Sequence, residues 1–287
     1  MLSLFKKKRP IPLWQYECNG ILWRLKVSDK GFIVGEDRNV EQKTVSYFCL
    51  KEKNGEVLWK NLTFEEKFWI GINAVYGERV YFHEFKSPSM PEEKKIIAVD
   101  LSSGNTAWKN DELKFLFAYN DCVYASKESF TSRLFFELDC ENGNILRELG
   151  DDIGYINTLQ ETSEHSQPYN HLQLPTAILK DDFLRNEEYV SLLKTFRRHK
   201  ITGDVELYEN ENFLAFTLYE NANDNPFEFN LNQYLIIAEK GKSLKQVFSE
   251  TITTNASMTL LDTFFVKENI LYFIKEKKTL TAVSLVS

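Results

Sequence analysis

Acid–base or metal chemistry in this chain has few places to come from. His83-Glu84 is followed within ten residues by Glu92-Glu93, with Trp69 upstream and Glu36-Asp37-Arg38 further back. A histidine among carboxylates is raw material for proton transfer, and two carboxylates roughly 5–10 Å apart would serve glycoside hydrolysis. A metal centre is not expected. His83, His165, His171 and His199 show neither HxH nor HExxH spacing. Cys18, Cys49, Cys122 and Cys140 form no CxxC pair and read as small buried thiols. There is no glycine-rich phosphate loop and no G-x-S-x-G elbow. Each remaining candidate also has an ordinary structural reading. His83 ends a strand. Glu36 and Arg38, two apart on an extended run, point the same way and pair with blade neighbours as a structural ion pair. Glu65-Glu66 and Glu92-Glu93 face solvent, and Pro88 and Pro91 stiffen a loop around Met90.

The elements that must position these residues repeat. Ala98-Val99-Asp100-Leu101-Ser102-Ser103-Gly104-Asn105-Thr106-Ala107-Trp108 reads as strand, tight turn and strand. Copies stand at Leu50 to Trp59, around Gly55, and at Leu138 to Arg147, around Gly143. The intervals between these glycines, 49 and 39 residues, are about one four-stranded propeller blade each. Strands over 21–27, 32–36, 44–50 and 57–59 make one meander, and 69–75, 79–85, 95–99 and 106–108 a second. A third covers 113–119, 122–126, 133–138 and 145–148, and a fourth 205–208, 213–219, 233–238 and 246–250. The fifth unit has only three strands, at 258–261, 270–274 and 279–285. Pro12-Leu13-Trp14-Gln15 precedes strand 21–27 much as Val57-Leu58-Trp59-Lys60 precedes 69–75. The N-terminal strand is therefore expected to complete the last blade and close the ring, removing exposed sheet edges.

One stretch, 151–202, breaks the rhythm. It opens polar and turns helical over about 178–200, where Tyr189, Leu192, Leu193 and Phe196 fall at i, i+3, i+4 and i+7. Asp181 and Asp182 near the start, and Arg197 to Lys200 at the end, suit the helix dipole. Without this insertion, five blades average about 47 residues, a normal propeller repeat. The expected fold is all-β: a roughly five-bladed β-propeller of four-stranded antiparallel blades over 1–287, with 151–202 as a helical insertion on the loop face.

Bulk properties bound the function. A net charge of −7 disfavours a broad nucleic-acid footprint. No run approaches the roughly 18 apolar residues of a membrane span. The basic cluster Lys6 to Arg9 lacks a following apolar segment, so no secretory signal is read and the cytoplasm is the expected compartment.

Ala98-x-Asp100-x-x-Ser103-Gly104-x-x-x-Trp108 resembles the Ala-x-Asp-x-x-Thr-Gly-x-x-x-Trp pattern of the PQQ-like (quinoprotein-type) β-propeller repeat. The resemblance is good at Gly55/Trp59 and partial at Asp139/Gly143, where Arg147 replaces Trp. It implies that Trp14, Trp59 and Trp108 dock on neighbouring blades while Gly55, Gly104 and Gly143 turn the outer hairpins. The wider run through Trp69, His83-Glu84-Phe85, Ser87-Pro88 and Met90-Pro91-Glu92 resembles an uncharacterised bacterial family of such propellers. Quinoprotein dehydrogenases use eight blades, calcium and usually a vicinal disulfide. This chain has about five blades and no adjacent cysteines, so no cofactor is expected. Smaller relatives act as scaffolds in protein assembly.

The expected function is a non-catalytic binding or protein-interaction module. Its unknown protein or small ligand would sit on the face of the long loops 61–68, 86–94 and 221–231 and of the helical insertion 151–202, lined by Glu36, Arg38, Trp69, His83, Glu84, Pro88, Met90 and Glu92. The alternative is a carbohydrate-active hydrolase with carboxylates in the central funnel.

Overall fold

Three identical turns set the rhythm of the chain. At Lys51, Asp100 and Asp139 the backbone N–H donates to the carbonyl five residues on, and the carbonyl accepts from the glycine four on, at 2.8–2.9 Å. Gly55, Gly104 and Gly143 sit there at φ +68°, +72° and +73°, a region that costs a residue with a Cβ about 1–2 kcal/mol. In two of the three, an aspartate finishes the turn. Asp100 Oδ1 accepts from the backbone N–H groups of Ser102 and Ser103, and Asp139 Oδ1 from those of Glu141 and Asn142. Asp100→Ala is expected to cost about 1–2 kcal/mol, as loss of a side-chain cap does. Lys51→Ala, at the copy without a carboxylate, should cost less than 1 kcal/mol. Urea denaturation of the two variants checks this.

The computed structural model describes residues 12–87, 90–128, 132–166, 172–225 and 228–286. The chain divides into two compact units, one of residues 18–170 and one of 1–17 with 171–287. The second unit contains β1 (Pro12–Glu17). The first consists of three four-stranded antiparallel meanders in chain order. They are β2 (Ile21–Val27), β3 (Phe32–Asn39), β4 (Thr44–Lys51) and β5 (Val57–Leu62); β6 (Ile70–Tyr76), β7 (Arg79–Ser87), β8 (Met90–Asp100) and β9 (Thr106–Asn110); and β10 (Lys114–Tyr119), β11 (Cys122–Glu128), β12 (Arg133–Asp139) and β13 (Ile145–Gly150). Apolar residues from facing sheets fill the spaces between them. Val34, Tyr47 and Cys49 meet Ile70, Ile72 and Phe82, while Tyr81, Ile96 and Ala98 meet Phe115, Val123 and Leu138. Helix α1 (Ile153–Ser166) follows β13 and lays Ile156 on Phe117, Tyr124 and Phe135.

Tryptophans lock this first unit across its turns. Trp59 Nε1 donates to the Leu101 carbonyl at 2.8 Å and Trp108 Nε1 to the Cys140 carbonyl at 2.9 Å. The indole of Trp59 covers Gly104 and that of Trp108 covers Gly143, so close that a Cβ on either glycine would lie under 3 Å from the ring. Glycine is thus required twice over, for φ and for room. Gly55 turns its hairpin at positive φ in the same way.

The second unit carries two five-stranded sheets. One contains β15 (Thr176–Ile178), β16 (Ile201–Glu209), β17 (Phe213–Asn221), β18 (Leu231–Glu239) and β19 (Lys245–Ala256). The other contains β14 (Leu172–Gln173), β20 (Phe264–Lys267), β21 (Ile270–Lys275), β22 (Thr279–Ser284) and β1. β1 pairs antiparallel with β22, Trp14 opposite Ala282 and Glu17 opposite Thr279. The N-terminal strand therefore completes the C-terminal sheet, and the Trp14 ring lies 5.9 Å from that of Tyr272, centre to centre.

The insertion is helical but broken. Where a single amphipathic helix is expected over about 178–200, α2 (Lys180–Arg185) and α3 (Glu187–Ser191) are separated by Asn186. Its extended backbone ends one helix while its side chain caps the next, accepting from the N–H groups of Glu188 and Tyr189. The apolar stripe still does its work as core. Phe183, Leu192 and Leu193 pack on Leu214, Phe216 and Leu218, and Phe196 meets Tyr234 edge-on. The segment before α2 adds β14 and β15 as fifth strands, which the expected four-stranded blades lacked. In the last sheet β20 stands between β21 and β14; residues 258–261, expected as the first strand of that unit, form an irregular loop. Glu206 holds this loop, accepting from the Asp262 N–H and from Thr263.

Candidate functional site

Apart from His83, the residues singled out in the sequence divide into a brace and a rim. Glu36, on β3, is 0% exposed. One of its oxygens accepts from the Ile72 N–H of the next sheet at 2.9 Å and the other from Arg38 Nε at 3.0 Å. Arg38 then spends its remaining donors on the Phe68 and Ile70 carbonyls, at 2.8 and 2.6 Å, with its guanidinium over the Phe68 ring. Arg24, from β2, donates to the Ile72 carbonyl at 2.9 Å. Asp37 accepts from the Asn19 and Gly20 N–H groups and fixes the turn into β2. These side chains tie the first sheet to the entry of β6. Trp69 stands at that entry, its N–H donating to Glu66 and its carbonyl accepting from the Phe85 N–H.

The rim is less open than a loop. The expected irregular segment 86–94 is mostly hairpin, because β7 and β8 run on through Ser87 and Met90. Glu84 pairs with Lys95 at 3.0 Å, Glu92 with Lys86 at 3.2 Å, and Met90 is exposed. Pro88 lies outside the described residues. Among the described residues no three acidic, histidine or cysteine side chains gather as a metal site, and no helix is long and apolar enough to cross a membrane. None of the four cysteines is in a disulfide, and burial pushes the thiol of Cys49 up to about 12 and those of Cys122 and Cys140 to about 11.

His83 belongs to neither group. It is 3% exposed and lies over Gly71, which a Cβ would bring within 3.1 Å of the ring. Its Nδ1 meets Asn73 Oδ1, and Asn73 Nδ2 donates to Glu93 Oε2 at 3.0 Å. Nε2 has no hydrogen-bond partner, and Glu93 Oε1 stands 3.8 Å away. Burial lowers the imidazole to about 4; Glu93 opposes the shift, and Arg24, Arg38 and Lys114 reinforce it. The native ring therefore stays neutral at pH values where the unfolded one, near 6.5, charges. Below about 6.5 the unfolded state binds the extra proton, so His83 removes stability as pH falls from about 6.5 to about 4 and has no effect above. His83→Gln is expected to flatten the pH dependence of the urea midpoint in that window, relative to the unsubstituted protein.

Asn73 also faces a cleft of about 300 Å³ between β6, β10 and α1, at the lower end of the sizes that hold small ligands. Tyr76, Phe115 and Phe117 supply aromatic wall, and Gln160, Ser163 and Glu164 of α1 the polar side. β6 and β10 are both edge strands of their sheets, so each leaves backbone donors and acceptors outside its ladder. Sequence reading passed over Arg24, Asn73 and α1. The signal for Asn73 was present: Gly71 and Asn73 are poor strand formers within one seven-residue strand, the mark of a position kept for something other than the sheet.

Five antiparallel meanders in sequence, with the first strand completing the last sheet, place the chain in the all-β class of β-propeller folds. Residues 27–108 match the family model described as "Domain of unknown function (DUF4905)". Three solved structures are similar over most of this chain. Quinohemoprotein alcohol dehydrogenase ADHIIG from Pseudomonas putida HK5 is 12% identical over 98% of this chain and 44% of its own, at a TM-score of 0.30. A eukaryotic initiation factor is 10% identical over 93% and 52%, at 0.34. Kuenenia stuttgartiensis hydrazine synthase is 11% identical over 87% and 64%, at 0.27. The chain thus spans between 44% and 64% of those proteins' lengths. No curated protein sequence matches it.

Proposed function

We propose that this chain is a non-catalytic binding module whose ligand enters the cleft between β6, β10 and α1. The observation that carries the reading is what the carboxylates of the candidate face are doing. Glu36, Glu84 and Glu92 each hold a cation at 3.0–3.2 Å, whereas a glycosidase acid needs a carboxyl group in apolar surroundings. What remains beside them is a cleft with rigid strand walls, aromatic rings and amide and hydroxyl groups, the composition of a recognition site. Trp59 on Gly104 and Trp108 on Gly143 support reading the repeat as PQQ-like, with the tryptophans as fasteners between blades and no cofactor role.

Ligand-observed NMR with a panel of monosaccharides, disaccharides, amino acids and tripeptides tests this. At least one compound is expected to receive saturation from the protein. Gln160→Trp, on the exposed side of α1, should abolish that transfer without lowering the thermal midpoint. No transfer to any compound, or transfer unchanged in Gln160→Trp, would overturn the reading.

A further inference from the structure

The walls of the cleft are strand edges, not strand faces. Four consecutive residues of β6, Asn73 to Tyr76, and four of β10, Phe115 to Ala118, line it. Successive side chains leave a strand on opposite sides. Val75 accordingly packs with Val80 and Val99, while Ala74 and Tyr76 pack on the other side with Phe115 and Val123. Phe115 and Ala118 part from Leu116 and Phe117 in the same way. What each strand turns to the cleft along its whole length is main chain.

On β6 one residue of that main chain is unclaimed. Residues bonded to β7 alternate with residues whose backbone faces away from it. Ile70 and Ile72 face away, and the brace takes them. The Ile70 carbonyl accepts from Arg38, the Ile72 N–H donates to Glu36, and the Ile72 carbonyl accepts from Arg24. The register shifts between Ile72 and Ala74, and the hairpin closes with Tyr76 opposite Arg79. The next residue to face away is therefore Val75. Among the described residues nothing bonds its N–H or C=O on that side. The other unit covers the corresponding edges with extended chain. Thr176–Ile178 of β15 lies antiparallel along Val205 to Leu207 of β16, and β14 along Val266 and Lys267 of β20. Two or three residues suffice in each case.

We infer that the cleft takes an extended peptide, which adds to β6 as a short strand paired at Val75. The assignment rests on the binding reading above and specifies its ligand class. A residue in extended conformation presents one acceptor and one donor on the same side, the complement of the Val75 N–H and C=O. Sugar hydroxyls, each donor and acceptor at once, would not select this pair over any other exposed peptide group. The peptide's alternate side chains are left to the rings of Tyr76 and Phe117 and to Gln160 and Glu164.

Amide hydrogen exchange followed by ¹H–¹⁵N NMR tests the inference, with acetyl-Val-Thr-Val-amide as the probe. In the free protein the Val75 N–H should exchange faster than the amides of β7, which lies between two strands. At saturation the peptide should shift the Val75 signal and slow its exchange about tenfold or more. The same peptide N-methylated throughout has no donor for the Val75 carbonyl. It should bind roughly tenfold more weakly, as loss of one hydrogen bond with its partner left unmatched does. A Val75 N–H already as protected as those of β7 overturns the inference, and so does equal binding of the N-methylated peptide. Protection that grows with protein concentration and ignores the peptide also overturns it, and makes a second copy of the chain the occupant. If a sugar or amino acid binds in a Gln160→Trp-sensitive way while Val75 ignores the peptide, the cleft reading stands and the strand pairing falls. If the peptide protects Val75 but Gln160→Trp has no effect, the pairing stands and the cleft reading falls.

Discussion

Replacing Glu36 with alanine is expected to lower stability by about 3–5 kcal/mol, the cost of removing one partner from a buried ion pair. The carboxylate is 0% exposed and Arg38 only 11% exposed on its side chain. Its loss strands the Ile72 N–H and leaves the Arg38 guanidinium buried with its carbonyl partners alone. Glu36→Gln keeps an acceptor for Ile72 but turns an NH₂ toward Arg38, and should fall between the two. The exposed pair Lys51–Glu56, at 2.9 Å with both side chains about half exposed, is the internal control. Glu56→Ala should leave the midpoint nearly unmoved despite the similar distance, because solvent screens the pair. In urea, the Glu36 variants should lower the midpoint with an unchanged slope. A Glu36→Ala loss as small as the Glu56 control would mean that the brace contributes nothing to holding β3 against β6.

The second large effect lies at the outer turns. Trp108 is 7% exposed, donates to the Cys140 carbonyl and packs on Tyr81. Trp108→Ala should cost about 3–5 kcal/mol, the range for a large buried aromatic. Gly143→Val should also be costly, for two separable reasons: about 1–2 kcal/mol for the positive φ, and a collision with the indole at 2.6 Å. The collision disappears when the indole does. The double variant is therefore expected to fall short of the sum of the singles by about 0.5–3 kcal/mol. Additive losses would show that Trp108 and Gly143 do not act on each other.

The sheets were legible because their punctuation is local. A glycine forced to positive φ, four residues ahead of an outer-strand tryptophan, recurs in sequence at Gly55 and Gly104 and marks the hairpin whatever surrounds it. The pairing of β1 with β22 was legible from arithmetic, one strand missing at one end and one spare at the other. Helix α1 was not. Its inward positions are Ile156, Leu159 and Ser163, so the apolar stripe gives out after two residues, and the run reads as polar loop. The break at Asn186 was hidden for the opposite reason: the stripe Tyr189 to Phe196 keeps helical spacing even where the backbone leaves the helix. In the candidate site, the shared face of Glu36 and Arg38 followed from period-two geometry; that they bond each other is shown by the fold. The Asn73–His83–Glu93 set joins three different strands and depends on pairing registers that no local pattern contains.

Catalysis and recognition part company most directly in one assay. Purified protein is incubated with a set of aryl glycosides, and release of the aryl group is followed alongside that of Glu93→Gln. If the face serves recognition, release stays at the uncatalysed rate in both proteins. Turnover by the unsubstituted protein that vanishes in a still-folded Glu93→Gln would make Glu93 a working acid or base, and would contradict the account.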